Sequence, residues 1–562
     1  MKVSWCFSSG FSFLLFRSPT FVGTSFRRNL RFPFHNNYRI SAMDCASRSP
    51  SFPSQIKSEI ELSDVEKKIF DYLLGTLRHF SLQTELRVAG GWVRDKLLGK
   101  DCYDIDIAID NMLGTAFVDK LAEYLSSLGE ETHGVGIIPR NPEQSKHLET
   151  ARMRLCNLWV DFVNLRSEDY SENSRIPTIE FGTAKDDAYR RDLTINSLFY
   201  NINNATVEDF TQRGIEDLQN RRIVTPLPPK TTFLDDPLRV LRAIRFGARF
   251  EFELDEKLKE AASCEEVKTA LSAKISKERI GTEIDLMISG NQPVKAMMHV
   301  AEFALYDAVF AFPPNFEPPL LHDFLRISIS NLDNAWKLIN AIGFSSFSDD
   351  ERRISLYCAL FLPFKDITYK DLKGKKIPMV NYIIKDSLKR KSSDSEIVIK
   401  VHSLTEKLLK LVSLPTDRDS ILPEEFREET EFLNVCDKSK LRVVLGFVMR
   451  EIKEFWRVAL LIATLLHGNS EISAEKGMRL FNAAEAEIKG FELEKIWEEK
   501  PVMNGREIMS VLELKSGGPL VSEWQRKVVG WQLSHPRGTY EQCVEWVKES
   551  CTKRAKICDL AQ

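Results

Sequence analysis

The 562-residue chain lacks any uninterrupted apolar run of about 18 residues, so it carries no segment that reads as a membrane-spanning helix. Its ten cysteines, scattered from Cys6 to Cys558, include no C-x-x-C pair. That spacing indicates neither a zinc site nor a disulfide framework, and it suits a reducing compartment. No Walker-type P-loop occurs. Strong net charge is also missing: the formal value is -3, so any nucleic-acid surface must be a local patch and not a global field. Acidic residues are absent altogether from residues 1 to 43, which contain Lys2, Arg17, Arg27, Arg28, Arg31 and Arg39 among many Ser and Phe. That composition reads as an organelle transit peptide. The alternatives are a disordered tail, or a secretory signal built on the short apolar core Phe11 to Phe16, against which the following arginines argue. Met43 precedes the point where acids resume, at Asp44, and a second start there would give a protein without the leader.

What is present is a globular composition, 43% hydrophobic and 28% charged, in a chain long enough for two or more packed modules. Order is expected from near Ser63. Ser63 and Glu66 have capping-box spacing, and Ile69, Phe70, Leu73, Leu74 and Leu77 recur at helical intervals. A short strand through Leu86, Val88 and Ala89 leads into Gly90 and Gly91, then a helix through Val93, Leu97 and Leu98. Paired glycines at such a turn let backbone N–H groups approach a phosphate.

Asp104-Ile105-Asp106 follows in an alternating run with Ile107 and Ile109. In a strand, residues two apart share a face, so the two carboxylates would stand side by side while the isoleucines pack behind. Adjacent carboxylates repel unless a cation lies between them, and magnesium (Mg2+) would also bind nucleotide phosphates. The bland alternative is a solvated polar strand face. A third carboxylate is Asp161, in the strand-like Leu158 to Val163, with Glu149 as its competitor. The stretch from His133 to His147, with Gly134, Gly136, Pro139, Asn141 and Pro142, reads as a loop.

Asp236-Pro237 has the form of a helix start, with Asp as N-cap and Pro at the first turn. Beyond it Leu238, Leu241, Ile244 and Phe246 serve packing, while Arg239, Arg242, Arg245 and Arg249 fall along one face. Four arginines with few acids beside them call for an anionic partner, unless they form only a solvated face. Further on the pattern is mainly helical, as in Ala335, Leu338, Ile339 and Ile342. Between Lys365 and Lys391 nine Lys or Arg face three Asp, a candidate RNA-backbone patch.

These blocks resemble, in order, the signature of the class II CCA-adding enzymes and their bacterial poly(A) polymerase relatives. The blocks are Gly90-Gly91-Trp92-Val93-Arg94-Asp95, Asp104-Ile105-Asp106, Arg190 to Asn196, Asp209 through Gly214 to Leu218, Asp235 to Arg242, and Lys277-Glu278-Arg279 with Glu283. With the organelle-type leader, the chain is most similar to the plant organelle-targeted form. The resemblance implies an α+β fold: a small mixed-sheet nucleotidyltransferase head over residues 60–200, a helical neck over 201–295, and a helical body and tail over 296–562, together shaped like a seahorse. It implies template-independent addition of C, C and A to tRNA that is immature or lacks its CCA end, from CTP and ATP, with Mg2+ at Asp104 and Asp106.

By the same resemblance Gly90, Gly91, Arg94, Arg191, Asp192 and Asn196 contact the nucleotide. An ion pair of Arg191 with Asp192 or Asp187 is the alternative for that residue. Asp236 and Arg239 form an amino-acid template for the base, and Arg242 and Arg245 beyond them also bind the nucleotide. Cytosine and adenine share an amine donor beside a ring-nitrogen acceptor, which Asp and Arg complement; guanine and uracil present the reverse. The family's flexible loop falls near residues 133–147. Met503 to Ile508 and Gly517-Gly518-Pro519 resemble the family's tail more loosely, with Glu507 where the family has Asp. His322-Asp323 lacks the further ligands of a phosphohydrolase site. A poly(A)-adding enzyme and a catalytically silent RNA-binding protein are the rival readings.

Overall fold

The computed structural model describes residues 56–130, 136–138, 150–170, 177–412, 423–467 and 473–560. Residues 1–43, read above as a leader, Met43, Glu149 and most of the stretch from His133 to His147 lie outside the described residues. Within that stretch, Gly136–Ile138 is a strand and not loop, paired antiparallel with Thr150–Leu155.

The fold is α+β, a small sheet head followed by a mostly helical remainder. The first helix, α1 (Asp64–His79), starts at the predicted capping box, with Ser63 and Glu66 satisfying each other's backbone N–H groups. Glu66 is buried, and its second role ties α1 to the next helix: it accepts from Trp92 Nε1 at 3.0 Å and Lys96 Nζ at 2.7 Å. Burial works to raise its pKa, but Lys96 and Ser63 prevail and hold it below the usual value.

The sheet has seven strands: β1 (Leu86–Ala89), β2 (Ile105–Ile109), β3 (Gly136–Ile138), β4 (Thr150–Leu155), β5 (Leu158–Asn164), β8 (Phe199–Asn201) and β9 (Thr206–Glu208). They run in the order β3-β4-β5-β2-β1-β8-β9, and only β2 and β5 are parallel. A separate ribbon pairs β6 (Arg166–Asp169) with β7 (Thr178–Phe181). Ile105, Ile107 and Ile109 point to one face, as alternation requires, together with Val160 and Phe162. Phe117, in α3 (Gly114–Ser127), meets Phe162 there, and Phe70 of α1 meets Tyr200 of β8. The opposite face carries a thin layer of Ala89, Ala108, Leu165 and Phe199. Ala184 and Ala188 of the short helix α4 (Ala184–Tyr189) complete that layer.

The β4–β5 hairpin closes through Cys156 and Asn157, both at positive φ (47° and 68°). Two left-handed residues in succession are the backbone of a two-residue hairpin turn whose twist matches the strands. This turn sets Arg152 opposite Asp161, and the parallel ladder then sets Asp161 opposite Asp106.

Beyond the sheet come α2 (Gly91–Leu97, between β1 and β2), α5 (Gly214–Gln219), α6 (Pro229–Asp235), α7 (Leu238–Phe250), α8 (Glu256–Ala262), α9 (Glu265–Lys274) and α10 (Lys277–Ile288). Later long helices include Phe324–Ile342, Asp349–Phe361, Ser392–Val412 and Trp456–Leu466. The remainder is mostly helical, with two small sheets set among the helices. A parallel pair, β10 (Arg222–Ile223) with β11 (Glu253–Leu254), braces α7. A three-stranded sheet joins β12 (Phe316–Glu317), β13 (Thr368–Lys370) and β14 (Lys376–Pro378).

Candidate active site

The open sheet face gathers charge where the alanine layer stops. Asp106 on β2, Asp161 on β5 and Arg152 on β4 form one straight row across three strands. Asp104 precedes the first residue of β2 instead of lying within the strand, and it is exposed. Burial, then the charges of Asp104 and Asp161, push the Asp106 carboxyl up to about 6, against the opposing pull of Arg191 and Arg152. Asp161 is engaged on both oxygens by Arg152, with Nη2 donating to Oδ2 at 2.6 Å. Among the described residues no three His, Cys, Asp or Glu side chains cluster as a complete metal cage.

On the other side of β2 stands the glycine turn. Gly90 has φ +74°, and a Cβ there would meet Arg191 Nη1 at 2.6 Å and the Asn196 carbonyl at 3.3 Å. Only glycine fits. Gly91 opens α2 beside the Arg94 guanidinium. Arg94 itself is buried over the rings of Phe246 and Phe250. It donates from Nε to Asp95 at 2.8 Å and from Nη1 to Asn196 Oδ1. Asn196 passes the connection on, donating to Asp192 Oδ1 at 3.1 Å. Asp192 also accepts from Arg242 Nε at 2.7 Å. Although buried, Asp192 is held far below the usual carboxylate range by Arg242 and Asn196. Arg191 forms an ion pair with Asp187, donating from Nη2 at 2.8 Å and from Nε at 3.0 Å, while its Nη1 reaches the Asn196 carbonyl.

The arginine helix differs from its sequence reading in two ways. Asp236 is not its N-cap: Pro237 holds that position and α7 begins at Leu238. Asp236 still accepts from the Leu238 N–H, at 3.3 Å, but its main partner is Arg279 of α10, whose Nη2 donates to Oδ2 at 2.8 Å. The arginines, moreover, do not lack acids. Arg239 lies 3.9 Å from Glu168 and donates to the Arg190 carbonyl at 2.6 Å. Arg242 has Asp192, Arg245 has Glu283 at 2.6 Å, and Arg249 lies 3.8 Å from Asp95. The acids come from distant segments, so the helix's own face does not reveal them.

Several residues of this network escape a reading of the sequence. Arg152 looks like an ordinary strand residue until register places it on Asp161. Glu168 and Tyr170 carry no motif, yet both approach Arg239. Arg279 and Glu283 were legible, in the block that begins at Lys277: spaced four apart on α10, they reach Asp236 and Arg245.

A family described as the poly A polymerase head domain matches residues 86–224. Over 534 residues the chain is 32% identical to the mitochondrial CCA tRNA nucleotidyltransferase of Candida glabrata, a match spanning 87% of this chain and 96% of that protein. The chain belongs to the CCA tRNA nucleotidyltransferase family. The Saccharomyces cerevisiae protein named as a mitochondrial CCA tRNA nucleotidyltransferase is 33% identical over 503 residues, covering 82% of this chain and 87% of that one. In fold, the chain is similar to the solved CCA-adding enzyme of Bacillus stearothermophilus in complex with CTP. That similarity has a TM-score of 0.59 at 16% identity and covers 88% of this chain and 100% of that one.

One consequence of the CCA tRNA nucleotidyltransferase head is measurable by pH. Burial works to raise the Asp187 carboxyl, but Arg190 and Arg191 outweigh it and hold it down to about 2, below its ordinary 3.8. An acid whose folded pKa is depressed stabilises the fold fully above its unfolded value, and that contribution fades as pH falls toward the folded one. Asp187→Asn is therefore expected to cost about 2 kcal/mol at pH 7, a gap that narrows as pH is lowered below about 4. Urea unfolding of both proteins at stepped pH checks this; a pH-independent gap would count against the ion pairs.

Two features of the C-terminal half are also resolved. Part of the basic stretch is a hairpin: Lys370, Lys373, Lys375 and Lys376 are exposed on or beside β13 and β14, none ion-paired among the described residues. Asp371, at the turn, spends Oδ1 on the N–H groups of Lys373 and Lys375. Lys365 and Arg390 belong elsewhere, the first on Glu406 and the second on α10. In the tail, Glu507 completes a capping box with Asn504 at the start of Gly505–Val511.

Proposed function

We propose that this chain adds C, C and A in turn to the 3′ end of tRNA, using CTP and ATP and releasing pyrophosphate. The observation that carries the reading is the carboxylate pair Asp104–Asp106 beside the Gly90–Arg191 cradle, in a chain similar to CCA tRNA nucleotidyltransferases over 87% of its length. The test is purified protein with tRNA lacking its terminus, magnesium, labelled CTP and then ATP. Addition of two C and one A, then arrest, supports the reading. A long adenylate tail would favour the poly(A)-adding rival, and no incorporation the silent RNA binder.

A divalent metal fits at Asp104 and Asp106. Asp106 on the sheet face has the charges of Asp104 and Asp161 beside it, with Arg191 and Arg152 in partial compensation, an excess of negative charge that a cation relieves. Two protein carboxylates, with phosphate oxygens and water supplying the rest, suit Mg2+. When bound, it would acidify the RNA 3′ hydroxyl and neutralise the leaving pyrophosphate. Asp161, fixed by Arg152, orients the row and adds to its charge. Gly90 and Gly91 leave room for phosphate oxygens at the backbone, and Arg191 donates to them. Arg94, Asn196, Asp192 and Arg242 form the hydrogen-bonded chain that aligns the glycine turn with α7, and Arg245 fixes α7 to α10 through Glu283. Asp236, oriented by Arg279, accepts from the exocyclic amine of C or A; Arg239 donates to the ring nitrogen.

The head is assigned to 60–200, the neck to 201–295, and the body and tail to 296–562. The hairpin at Lys370–Lys376 contributes RNA-backbone affinity. Reversing all four lysines to Glu is expected to raise the KM for tRNA at least about tenfold at physiological salt and flatten its salt dependence, with KM for CTP unmoved. An unchanged tRNA KM would make the hairpin a solvated turn.

Residues 1–43 direct organelle import, as in a plant organelle-targeted form, with a cytoplasmic or nuclear product from Met43. A leader–fluorescent-protein fusion and the activity of a protein begun at Met43 measure this. A fusion that stays in the cytosol, or a large loss of specific activity on truncation, would count against it.

A further inference from the structure

We propose that Trp159 is the platform on which the 3′-terminal base of the RNA acceptor stacks; this rests on the CCA-adding reading above. Along β5, Val160 and Phe162 are buried, whereas Trp159, Asp161 and Val163 take the open face. Val163 lies under the alanine layer, and Asp161 is in the carboxylate row. Trp159, one pleat further, is 51% exposed. A lone exposed apolar residue is ordinary on a protein surface. Here its position makes it informative, because successive residues on one strand face are about 7 Å apart. The indole is thus one short step from the proposed reaction centre.

Its neighbours have the composition of a single-stranded nucleic-acid site. Arg152, from the adjoining strand, sits 5.9 Å from the indole centroid. Arg154, exposed, lies directly opposite Trp159 in the ladder. Arg152 is committed to Asp161, which leaves Arg154 as the exposed guanidinium beside the indole; an aromatic plane with such a cation at its edge binds unpaired bases by stacking and their phosphates by charge.

The strand order indicates which substrate uses it. Gly90 and Arg191 stand on the β1 side of β2, and Asp192, Asn196 and the arginine helix connect to that same side. The nucleoside triphosphate occupies that side. Nucleotidyl transfer brings two substrates to the carboxylates from opposite directions, which leaves the β5 side to the acceptor. Stacking also suits an acceptor whose terminal base changes after every addition: every base has a π face, whereas a hydrogen-bonding pocket would have to be re-read each time.

The test uses the full chain with tRNA lacking its CCA, and separately tRNA ending in CC. Trp159→Ala is expected to raise the KM for either RNA about tenfold, leaving the KM for CTP and ATP within about twofold. Trp159→Phe should restore most of the affinity. Trp159→Leu should not, since it keeps apolar bulk without a π face. RNA added to the wild type should quench tryptophan emission, and Trp159→Phe should lose that component. Equal RNA KM in wild type, Ala and Leu would overturn the platform, as would full rescue by Leu or a rise confined to CTP and ATP. Failure of the wild type itself to extend either RNA would overturn the functional reading instead, and is seen in a separate arm.

Discussion

Asp104→Ala and Asp106→Ala are each expected to reduce nucleotide addition by about 1000-fold or more, with tRNA affinity nearly unchanged. The proposed carboxylates hold the cation that stabilises charge on the entering and leaving oxygens, an effect of several kcal/mol, and each 1.36 kcal/mol is a factor of ten in rate. RNA affinity arises mainly from phosphate contacts elsewhere. The geometry supplies a control against unfolding. Asp106 sits against two like charges, Asp104 and Asp161, so its removal relieves repulsion and the melting temperature should not fall. The measurement is single-turnover CTP incorporation with a parallel filter-binding assay. Near-normal incorporation by either folded variant would remove the two-carboxylate assignment.

The second large effect is on base choice. Asp236→Asn is expected to lower the preference for CTP over UTP by about 10- to 100-fold, because each mispaired group costs about 1–3 kcal/mol. Asn keeps an oxygen for the Leu238 N–H but loses the charge that holds Arg279, and it can donate where Asp only accepts. Arg239→Lys is the companion change: it keeps the cation near Glu168 but not the planar fork. Both variants are assayed as kcat/KM ratios on one tRNA, with thermal melts to separate selection from stability. Two folded variants with wild-type ratios would reduce the pair to a helix-start contact and a buried structural arginine. Arg279→Ala should share the Asn phenotype, since Asp236 would lose its orienting partner.

Local structure was legible wherever neighbouring residues decide it. Ser63 with Glu66 announced α1, the isoleucine alternation announced β2, and Gly90 marked the strand-to-helix turn. Elements decided by distant partners were not. The face of α7 looked short of acids because Glu168, Asp192 and Glu283 arrive from other elements. Asp236 looked like an N-cap because local grammar does not include Arg279, and the helix begins one residue later than that grammar suggests. The basic stretch was visible as charge but not as a hairpin, because its strands are only three residues long and a lysine-rich turn carries no periodicity. Arg152 and Trp159 became informative only once register was known.

The two-residue turn at Cys156 and Asn157 has a bearing on how this protein can vary. Side chains alternate with a period of two, so losing or gaining one residue at that corner would rotate the whole outgoing strand by half a turn. Asp161 and Trp159 would then be driven into the apolar interior and Val160 and Phe162 into water. A change of one residue at this corner therefore keeps the row of charges only where a bulge or a longer loop absorbs it.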